Sequence, residues 1–344
     1  MDLLTFTYGI ENLINHVSDM VSGFSGIILS SQITPYRYLL YGAIIISVVY
    51  LLSRTETRSL IAAYRLIKEK DNALVLAADQ KGRLEMREKE ITDSLIYAQR
   101  IQEALLPSEA FFRKHIEDSF IFYRPKDIVS GDFYWIGEKG GKIFIVAADC
   151  TGHGVPGAIM SMIGLEIIEK TINDDLIEIP SKILSILDKG LEKTFSRAKN
   201  IGTIIRDGMD IGLCVIDKAE RRLVFAGAFF PLYLIRNNSL NEIKGDKIII
   251  GMNPDGQKYS DHELNLEDDD VLYLFSDGYV DQFGGGEEKK FMYRRFRHLL
   301  LTIHSFPVED QKSILDENLK SWMGHTGQVD DIMVIGFKPF VKKS

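Results

Sequence analysis

From about residue 118 onward, the chain is a succession of short β-rich runs separated by turn residues, and this pattern limits its possible folds more than any other feature. The runs are SFIFYR, KIFIVAAD, MDIGLCVID, RLVFAG, PLYLIR, DVLYLFSD and DDIMVIGF. Helical stretches at about 156–174 and 179–198 separate the second run from the third, and two more follow Phe291 and Val308. Strands and helices do not alternate strictly, which argues against a doubly wound parallel sheet. The sequence predicts an α+β domain whose mostly antiparallel sheets carry helices on their outer faces.

Residues 54–106 are predicted to form one long helix, because they contain no proline and only one glycine, Gly82, among many helix-forming residues. Mostly apolar residues recur at roughly heptad spacing before Gly82, and a second series, in which Gln102 is polar, follows in a shifted register: Leu60, Tyr64, Ile67, Leu74 and Ala78, then Ile91, Leu95, Ala98, Gln102 and Leu105. This spacing predicts an imperfect coiled coil that pairs two copies into a homodimer, and it is equally compatible with a solvated linker helix. The last turns carry apolar residues on more than one face, so we also expect them to pack against the following domain.

An uncharged run of sixteen residues, from Tyr38 to Ser53, lies between Arg37 and Arg54. As a helix it measures about 24 Å, against about 30 Å for the hydrocarbon core of a bilayer, and snorkelling arginine and tyrosine side chains can cover the difference. The run predicts a transmembrane helix at residues 36–53, with a buried core helix as the alternative. A secretory signal peptide is disfavoured because no small-residue cleavage site follows.

Basic residues are more frequent just after this segment than before it, so the positive-inside rule places the chain from residue 54 onward in the cytoplasm. Residues 1–35 then form an extracytoplasmic N-terminal segment. The prediction is a single-pass protein of the cell inner membrane.

The composition excludes several classes of protein. A net charge of −8 gives no general attraction to nucleic acid. The only cysteines, Cys150 and Cys214, cannot form a disulfide framework, and their apolar surroundings indicate reduced, buried thiols in a cytosolic compartment.

Several carboxylates lie at the ends of the predicted strands. Asp149 follows KIFIVAA, Asp277 follows VLYLFS, Asp330 and Asp331 precede IMVIGF, and Asp132 lies beside a glycine near another strand. Each acid alone is compatible with a simple turn or cap. A sheet cannot hold so many clustered negative charges without positive charge among them, and these motifs contain no Lys or Arg. Oxygen ligands without zinc-like Cys and His spacing indicate Mg²⁺ or Mn²⁺.

The residues after Asp149 form an open turn. Gly152 and Gly154 keep side chains away from the backbone of this turn, so that a ligand can approach it closely. His153 is a possible ligand, but its glycine neighbours favour a place in the wall of the site. Cys150 is expected to contribute only its backbone carbonyl.

Four motifs occur in this order along the chain: DIVSGDFYW, AADCTGHGVPGA, SDGYVDQFGG and QVDDIMVIGF. Together they resemble the SpoIIE/RsbU-type branch of the metal-dependent (PPM) protein serine/threonine phosphatases, over about residues 115–340. The resemblance implies an α-β-β-α sandwich with two Mn²⁺ or Mg²⁺ ions at one end of the paired sheets. Carried over residue by residue, it implies that Asp149 bridges the two ions and that the backbone carbonyl of Cys150 binds one of them. Asp132, Asp277 and Asp330 would complete the ligand set, directly or through water. Asp331 is a weaker candidate.

The resemblance also implies a function. A metal-bridging hydroxide would attack phosphorus in line, with Asp149 and Asp277 acting in catalysis through that hydroxide. The substrate would be phosphoserine or phosphothreonine on a signalling partner, in this family usually a STAS-type anti-anti-sigma protein, and the helix before the domain would act as a switch.

Two departures from the family pattern leave alternatives open. Trp135 stands where the family commonly has an acid, at the edge of the inferred site. FAGAFFPLYLI lacks the His or Asn common before its proline, which leaves the substrate contacts there open. The alternatives are a catalytically degenerate phosphatase fold that serves as a signalling scaffold, and another metal-dependent phosphohydrolase.

Overall fold

The computed structural model describes residues 15, 19, 35–174, 177–199, 207–253, 256–286 and 288–341. The chain divides into two units, residues 1–87 and residues 88–344. Almost all of the predicted N-terminal segment, residues 1–35, lies outside the described residues.

The long helix predicted from the sequence is present. Helix α1 spans Pro35–Leu105 and passes through Gly82 without a break. Pro107 lies just beyond its end, where a residue without a backbone N–H cannot continue the helix. Pairing of this helix into a coiled coil stays a prediction.

Within the part of the chain that the structure describes, no helix has an apolar stretch long enough to cross a membrane. The transmembrane helix expected at residues 36–53 is therefore not found, and these residues form the first turns of α1. Apolar side chains of this segment are exposed, with Leu39 and Ile46 each 71% exposed.

The second unit contains two five-stranded sheets in which all neighbouring strands are antiparallel. The first sheet has, in spatial order, β2 (Phe133–Lys139), β3 (Lys142–Cys150), β4 (Met209–Asp217), β5 (Arg222–Ala228) and β8 (His262–Asn265). The second has β1 (Ser119–Arg124), β12 (Ile332–Phe337), β9 (Val271–Phe275), β6 (Leu232–Arg236) and β7 (Ser239–Ile243). A small hairpin pairs β10 (Phe283–Gly284) with β11 (Lys289–Lys290).

Helices cover the outer faces of both sheets. They are α3 (Gly154–Asn173), α4 (Pro180–Lys199), α5 (Gly278–Asp281), α6 (Met292–Ile303) and α7 (Val308–Met323), whereas α2 (Glu109–His115) contributes Phe112 to the core between the sheets. Residues of α3 and α4 share a core with the first sheet, and residues of α6 and α7 share another with the second sheet. A third core lies between the sheets. The predicted α+β fold with two antiparallel sheets is thereby confirmed, in the four layers of an α-β-β-α sandwich.

The alternation of side chains along β3 explains why its sequence is apolar at successive positions. Ile143 and Ile145 face the core between the sheets, whereas Phe144 and Val146 face the core shared with α3 and α4. Both faces of this strand are buried, so the usual alternation of apolar and polar residues is absent.

The strand registers bring the acidic motifs to particular ends of the sheets. Phe133 pairs with Ala148, so the start of β2 and the end of β3 lie together, and Asp149 pairs with Asp210 at the start of β4. In the second sheet Phe275 pairs with Val334, so the end of β9 lies beside the start of β12. Each sheet therefore presents its predicted site residues at a single end.

Candidate active site

Asp132 joins the two sheet ends. Its side chain is buried, the residue being 1% exposed, and its Oδ2 accepts a hydrogen bond of 2.6 Å from Ser276 Oγ, which follows β9. Its backbone is also held, because its carbonyl accepts from Tyr123 Oη at 2.9 Å and its N–H donates to Ser130 Oγ at 3.1 Å. Its Oδ1, by contrast, is buried and has no hydrogen-bond partner. A buried carboxylate oxygen in this state needs a proton, a cation or a bound water as its partner.

The predicted acids influence one another electrostatically. Burial raises the pKa of Asp149 well above its ordinary value, and Asp132, Asp277 and Asp330 raise it further. Burial likewise raises the pKa of Asp132, and its neighbouring carboxylates add to the rise. Asp277 keeps an exposed surface, but the pKa of its carboxyl is raised to about 6. The main cause is desolvation by the surrounding protein, and the charges of Asp281 and Asp330 add to the rise. The structure thus brings these four predicted acids into one cluster.

Asp210 belongs to the same cluster, although the sequence analysis did not single it out. It pairs directly with Asp149, and burial, followed by the charge of Asp277, raises its pKa to about 6. The signal was present in MDIGLCVID, where an acid lies at the start of an apolar run, as Asp331 does before β12.

Asp331 has a different role from its neighbour Asp330. Its carboxylate is buried and accepts two backbone hydrogen bonds of 2.7 Å, from the N–H of Lys126 to Oδ1 and from the N–H of Gly131 to Oδ2. Both oxygens are therefore engaged in holding the loop that leads to Asp132. Asp330 uses its Oδ1 to accept from the N–H of Asp331 at 2.9 Å.

The turn after β3 packs against the same loop through glycines. A Cβ atom on Gly157, in the first turn of α3, would lie 2.3 Å from the carbonyl oxygen of Gly152 and 2.8 Å from Cα of Gly131. Gly152 and Gly154 have φ values of 84° and 69°, which L side chains rarely adopt. His153 lies between them, exposed, with its Nδ1 2.7 Å from Asp127 Oδ2. These residues form a bare rim beside Asp149.

Cys150 is the last residue of β3 and is 3% exposed. Burial, together with the charges of Asp149 and Asp132, raises the pKa of its thiol well above the ordinary value. The thiol therefore stays protonated, which disfavours thiolate coordination and leaves the backbone carbonyl as its available donor.

Gln102, near the end of α1, connects that helix to the site. It is 4% exposed, and its Nε2 donates to the carbonyl of Ser130 at 2.7 Å and to Ser161 Oγ at 2.9 Å. Its Oε1 accepts from the N–H of Ser130 at 3.1 Å. Gln102 lies among the predicted heptad positions of α1. Its polarity within that apolar series is the sequence signal for its contact with the site.

The additional apolar face expected on the last turns of α1 is only partly buried. Leu106 packs against two of the cores, whereas Leu105 is 48% exposed and Ile91 is 61% exposed. The contact of this helix with the domain depends on Gln102 as well as on apolar packing.

The residues present fit a hard cation, although no three His, Cys, Asp or Glu side chains among the described residues form a ready-made cage for one. The buried, unpartnered Oδ1 of Asp132 and the mutually raised pKa values of Asp132 and Asp149 both indicate missing positive charge. Lys290 lowers the pKa of Asp277, but its Nζ is already paired with Asp281 Oδ2 at 2.7 Å. A donor set of carboxylate oxygens suits Mg²⁺ or Mn²⁺.

Comparison with known proteins connects this geometry to a family. Residues 139–339 match the family model of stage II sporulation protein E (SpoIIE). The chain is 26% identical over 250 residues to the phosphoserine phosphatase RsbU of Bacillus subtilis (strain 168), covering 68% of this chain and 67% of RsbU.

Two solved structures share the fold. The SiaA-PP2C domain of Pseudomonas aeruginosa is 34% identical with a TM-score of 0.67, and the match covers 73% of this chain and 98% of that domain. The PP2C phosphatase domain of SpoIIE from Bacillus subtilis, with a fragment of its regulatory domain, is 17% identical with a TM-score of 0.52, covering 66% of this chain and 64% of the other. The second likeness concerns the fold alone.

The distinct contacts of Asp330 and Asp331 predict opposite effects on the stability of the metal-free protein. Asp331→Asn keeps one acceptor oxygen but places an amide NH2 against the other backbone N–H, and it should destabilise the fold by about 1–3 kcal/mol. Asp330→Asn removes one charge from a group of repelling carboxylates and should leave stability unchanged or raise it. Thermal unfolding of both variants in EDTA measures the difference, with the unsubstituted chain as reference. Equal destabilisation by the two substitutions would contradict the assignment of Asp331 to the loop.

Proposed function

This chain belongs to the SpoIIE family and is a protein serine/threonine phosphatase, and we propose that its carboxylate cluster hydrolyses phosphoserine or phosphothreonine on a protein partner with two Mn²⁺ or Mg²⁺ ions bound. The observation that carries the proposal is the buried Asp132 Oδ1, which has no hydrogen-bond partner and lies among acids that raise one another's pKa.

The residues that would hold the ions are carboxylates and one carbonyl: Asp132, Asp149, Asp277, Asp330 and the backbone of Cys150. When bound, Mn²⁺ or Mg²⁺ offsets the charge of the phosphoryl oxygens and lowers the pKa of coordinated water. The acids themselves would stay ionised under these conditions, because a nearby cation favours the charged form.

Other residues of the site have supporting roles in this proposal. Ser276 fixes one oxygen of Asp132, so that the other stays directed away from it. Asp331 and Gln102 hold the loop that leads to Asp132. The bare backbone at Gly152 and Gly154 leaves room for a phosphoryl group beside Asp149. A degenerate scaffold has less support, because all four acids that the resemblance implies as metal ligands are retained, the family's acid at Trp135 being lost only at the edge of the site.

The partner would be a phosphorylated signalling protein. RsbU, the relative found in Bacillus subtilis, is named a phosphoserine phosphatase. This relative supports phosphoserine as the substrate group, and the resemblance of the sequence motifs to the SpoIIE/RsbU-type phosphatases leads us to propose a STAS-type anti-anti-sigma protein as the partner.

Asp149→Asn should abolish hydrolysis of a generic phosphoserine peptide while leaving the protein folded. Asp149 lies near the end of β3, at the margin of the sheet and outside the cores. Its replacement by asparagine therefore relieves repulsion between carboxylates and creates no cavity. The measurement is turnover with saturating Mn²⁺ and with EDTA, with circular dichroism to verify folding. Near-normal turnover of the variant with Mn²⁺, or of the unsubstituted chain in EDTA, would show that the metal assignment is wrong.

We also propose that two copies of the chain pair through α1 and that the state of this helix affects the site through Gln102. The proposal is supported by the exposed apolar residues along α1, such as Ile91 and Leu105, and by the hydrogen bonds of Gln102 to Ser130 and Ser161. A change in helix pairing would then alter the loop that carries Asp132.

Gln102→Met should lower turnover about 10-fold, because methionine fills the same space without the hydrogen bonds to Ser130. Gln99→Met is the matched control, since Gln99 lies one turn earlier on α1 and its side chain makes no hydrogen bond to the described residues. Turnover with Mn²⁺ and the mass in solution of residues 54–344 are measured for both variants. Unchanged turnover of Gln102→Met would exclude the coupling, and a monomeric mass for residues 54–344 would exclude pairing through α1.

Attachment to the cell inner membrane through residues 36–53, with the phosphatase domain in the cytoplasm, is a separate proposal. It is supported by the uncharged run between Arg37 and Arg54, by the excess of basic residues that follows, and by the exposed side chains of Leu39 and Ile46.

The full chain should sediment with membranes and require detergent for release, whereas residues 54–344 should remain in the soluble fraction. The expected difference arises because only the full chain carries the apolar run. Fractionation with a high-salt wash separates apolar insertion from electrostatic adsorption. Recovery of the full chain as soluble protein without detergent would contradict the anchor.

A further inference from the structure

An exposed, partly apolar cavity lies beside the carboxylate cluster, at the start of β4. It has a volume of 240 Å³, and its lining combines four apolar residues with three polar ones: Phe229, Ile248, Ile249 and Met252, then Lys247, Asn253 and Gln257. Phe229 is 47% exposed and Met252 is 42% exposed, so two large apolar side chains of the lining remain accessible to solvent. The cavity is smaller than the roughly 300–1,000 Å³ of small-molecule sites, so its size suits a single side chain of a larger ligand.

The strand pairings place this cavity next to the site. Phe229 bridges to Ile211, the residue after Asp210, and Asp210 pairs with Asp149. On the other side, Met209 and Ile250 exchange two backbone hydrogen bonds of 3.1 Å, which fixes the segment leading to Met252. The first residues of β4 therefore lie between the carboxylates on one side and the cavity on the other.

The backbone of Phe229 is held in an unusual conformation. Its φ is 51°, in the left-handed region that bulky residues rarely occupy, and its N–H donates to the carbonyl of Asp246 at 2.7 Å. Asn or Gly would adopt this conformation with less strain. A large aromatic side chain held outward at such a position is typical of a functional contact.

The charge beside the cavity suits an anionic ligand. Lys247 is exposed and makes no ion pair within the described part of the chain. A phosphorylated protein segment presents negative charge and, at neighbouring positions, side chains that can enter an apolar cavity. The apolar lining of the cavity therefore matches an apolar side chain of such a segment, and Lys247 matches its negative charge.

We propose that the cavity between Phe229 and Met252 is a docking subsite of the phosphatase, which takes an apolar side chain next to the phosphorylated residue of the protein substrate while Lys247 faces the acidic part of the same segment. This proposal rests on the proposed function of the carboxylate cluster. It makes Phe229 a specificity-determining residue, since Phe229 lines the cavity and its backbone is bridged to Ile211 of β4.

The test uses the full chain with Mn²⁺ and three probes. Two synthetic phosphoserine peptides differ only at the positions flanking phosphoserine, which are leucine in one and serine in the other, and p-nitrophenyl phosphate serves as a substrate too small to reach the cavity. The expected kcat/KM is about 10-fold higher for the leucine peptide. Phe229→Asn should bring this ratio close to one, mainly through a higher KM, and leave hydrolysis of p-nitrophenyl phosphate unchanged.

Asparagine is chosen because it tolerates positive φ, so the variant should unfold at the same or a higher temperature than the unsubstituted chain. Phe306→Asn is the matched control, because Phe306 is 44% exposed and lies in the turn between α6 and α7. Equal kcat/KM of the unsubstituted chain for both peptides, or a preference that survives Phe229→Asn, would overturn the docking subsite alone. Absence of hydrolysis of all three probes by the unsubstituted chain would instead overturn the proposed function and the subsite with it.

Discussion

Asp132, Asp149 and Asp277 are held together at one end of the sandwich although burial and mutual repulsion both oppose their ionisation. Such an arrangement stores unfavourable free energy in the metal-free fold, and cations would release it. The surrounding structure has to oppose this repulsion. It does so with fixed partners, such as Ser276 for one oxygen of Asp132, and with antiparallel registers that leave the strand ends little freedom.

The loop that leads to Asp132 is held from two directions. Asp331 binds it from the second sheet through two backbone N–H groups, and Gln102 binds it from α1 through both backbone groups of Ser130. The same glutamine also contacts Ser161 on α3, the helix that begins directly after the turn at Gly152. Displacement of α1 would therefore be felt at two parts of the site, which is a physical basis for regulation by the helix.

The remaining side of the site is open. Close packing of Gly131 and Gly157 on the backbone of Gly152 brings main chain, not side chain, to the rim beside Asp149. A shallow site of this kind has few contacts of its own with which to select a substrate. The apolar cavity at Phe229 supplies a contact beyond the rim, where the sequence of a partner can be distinguished.

Local sequence determined most of the secondary structure, because short apolar runs, turn residues and helix formers act over a few residues. It also identified Asp132, Asp149, Asp277 and Asp330, since an acid at the end of an apolar strand is visible in the sequence itself. Tertiary structure decided the rest. Asp210 joined the cluster through strand pairing with Asp149, Asp331 proved to hold a loop 200 residues earlier in the chain, and Gln102 reached Ser130 across 28 residues. These partners are distant in sequence, and only the packing of strands and helices determines which of them come within hydrogen-bonding distance.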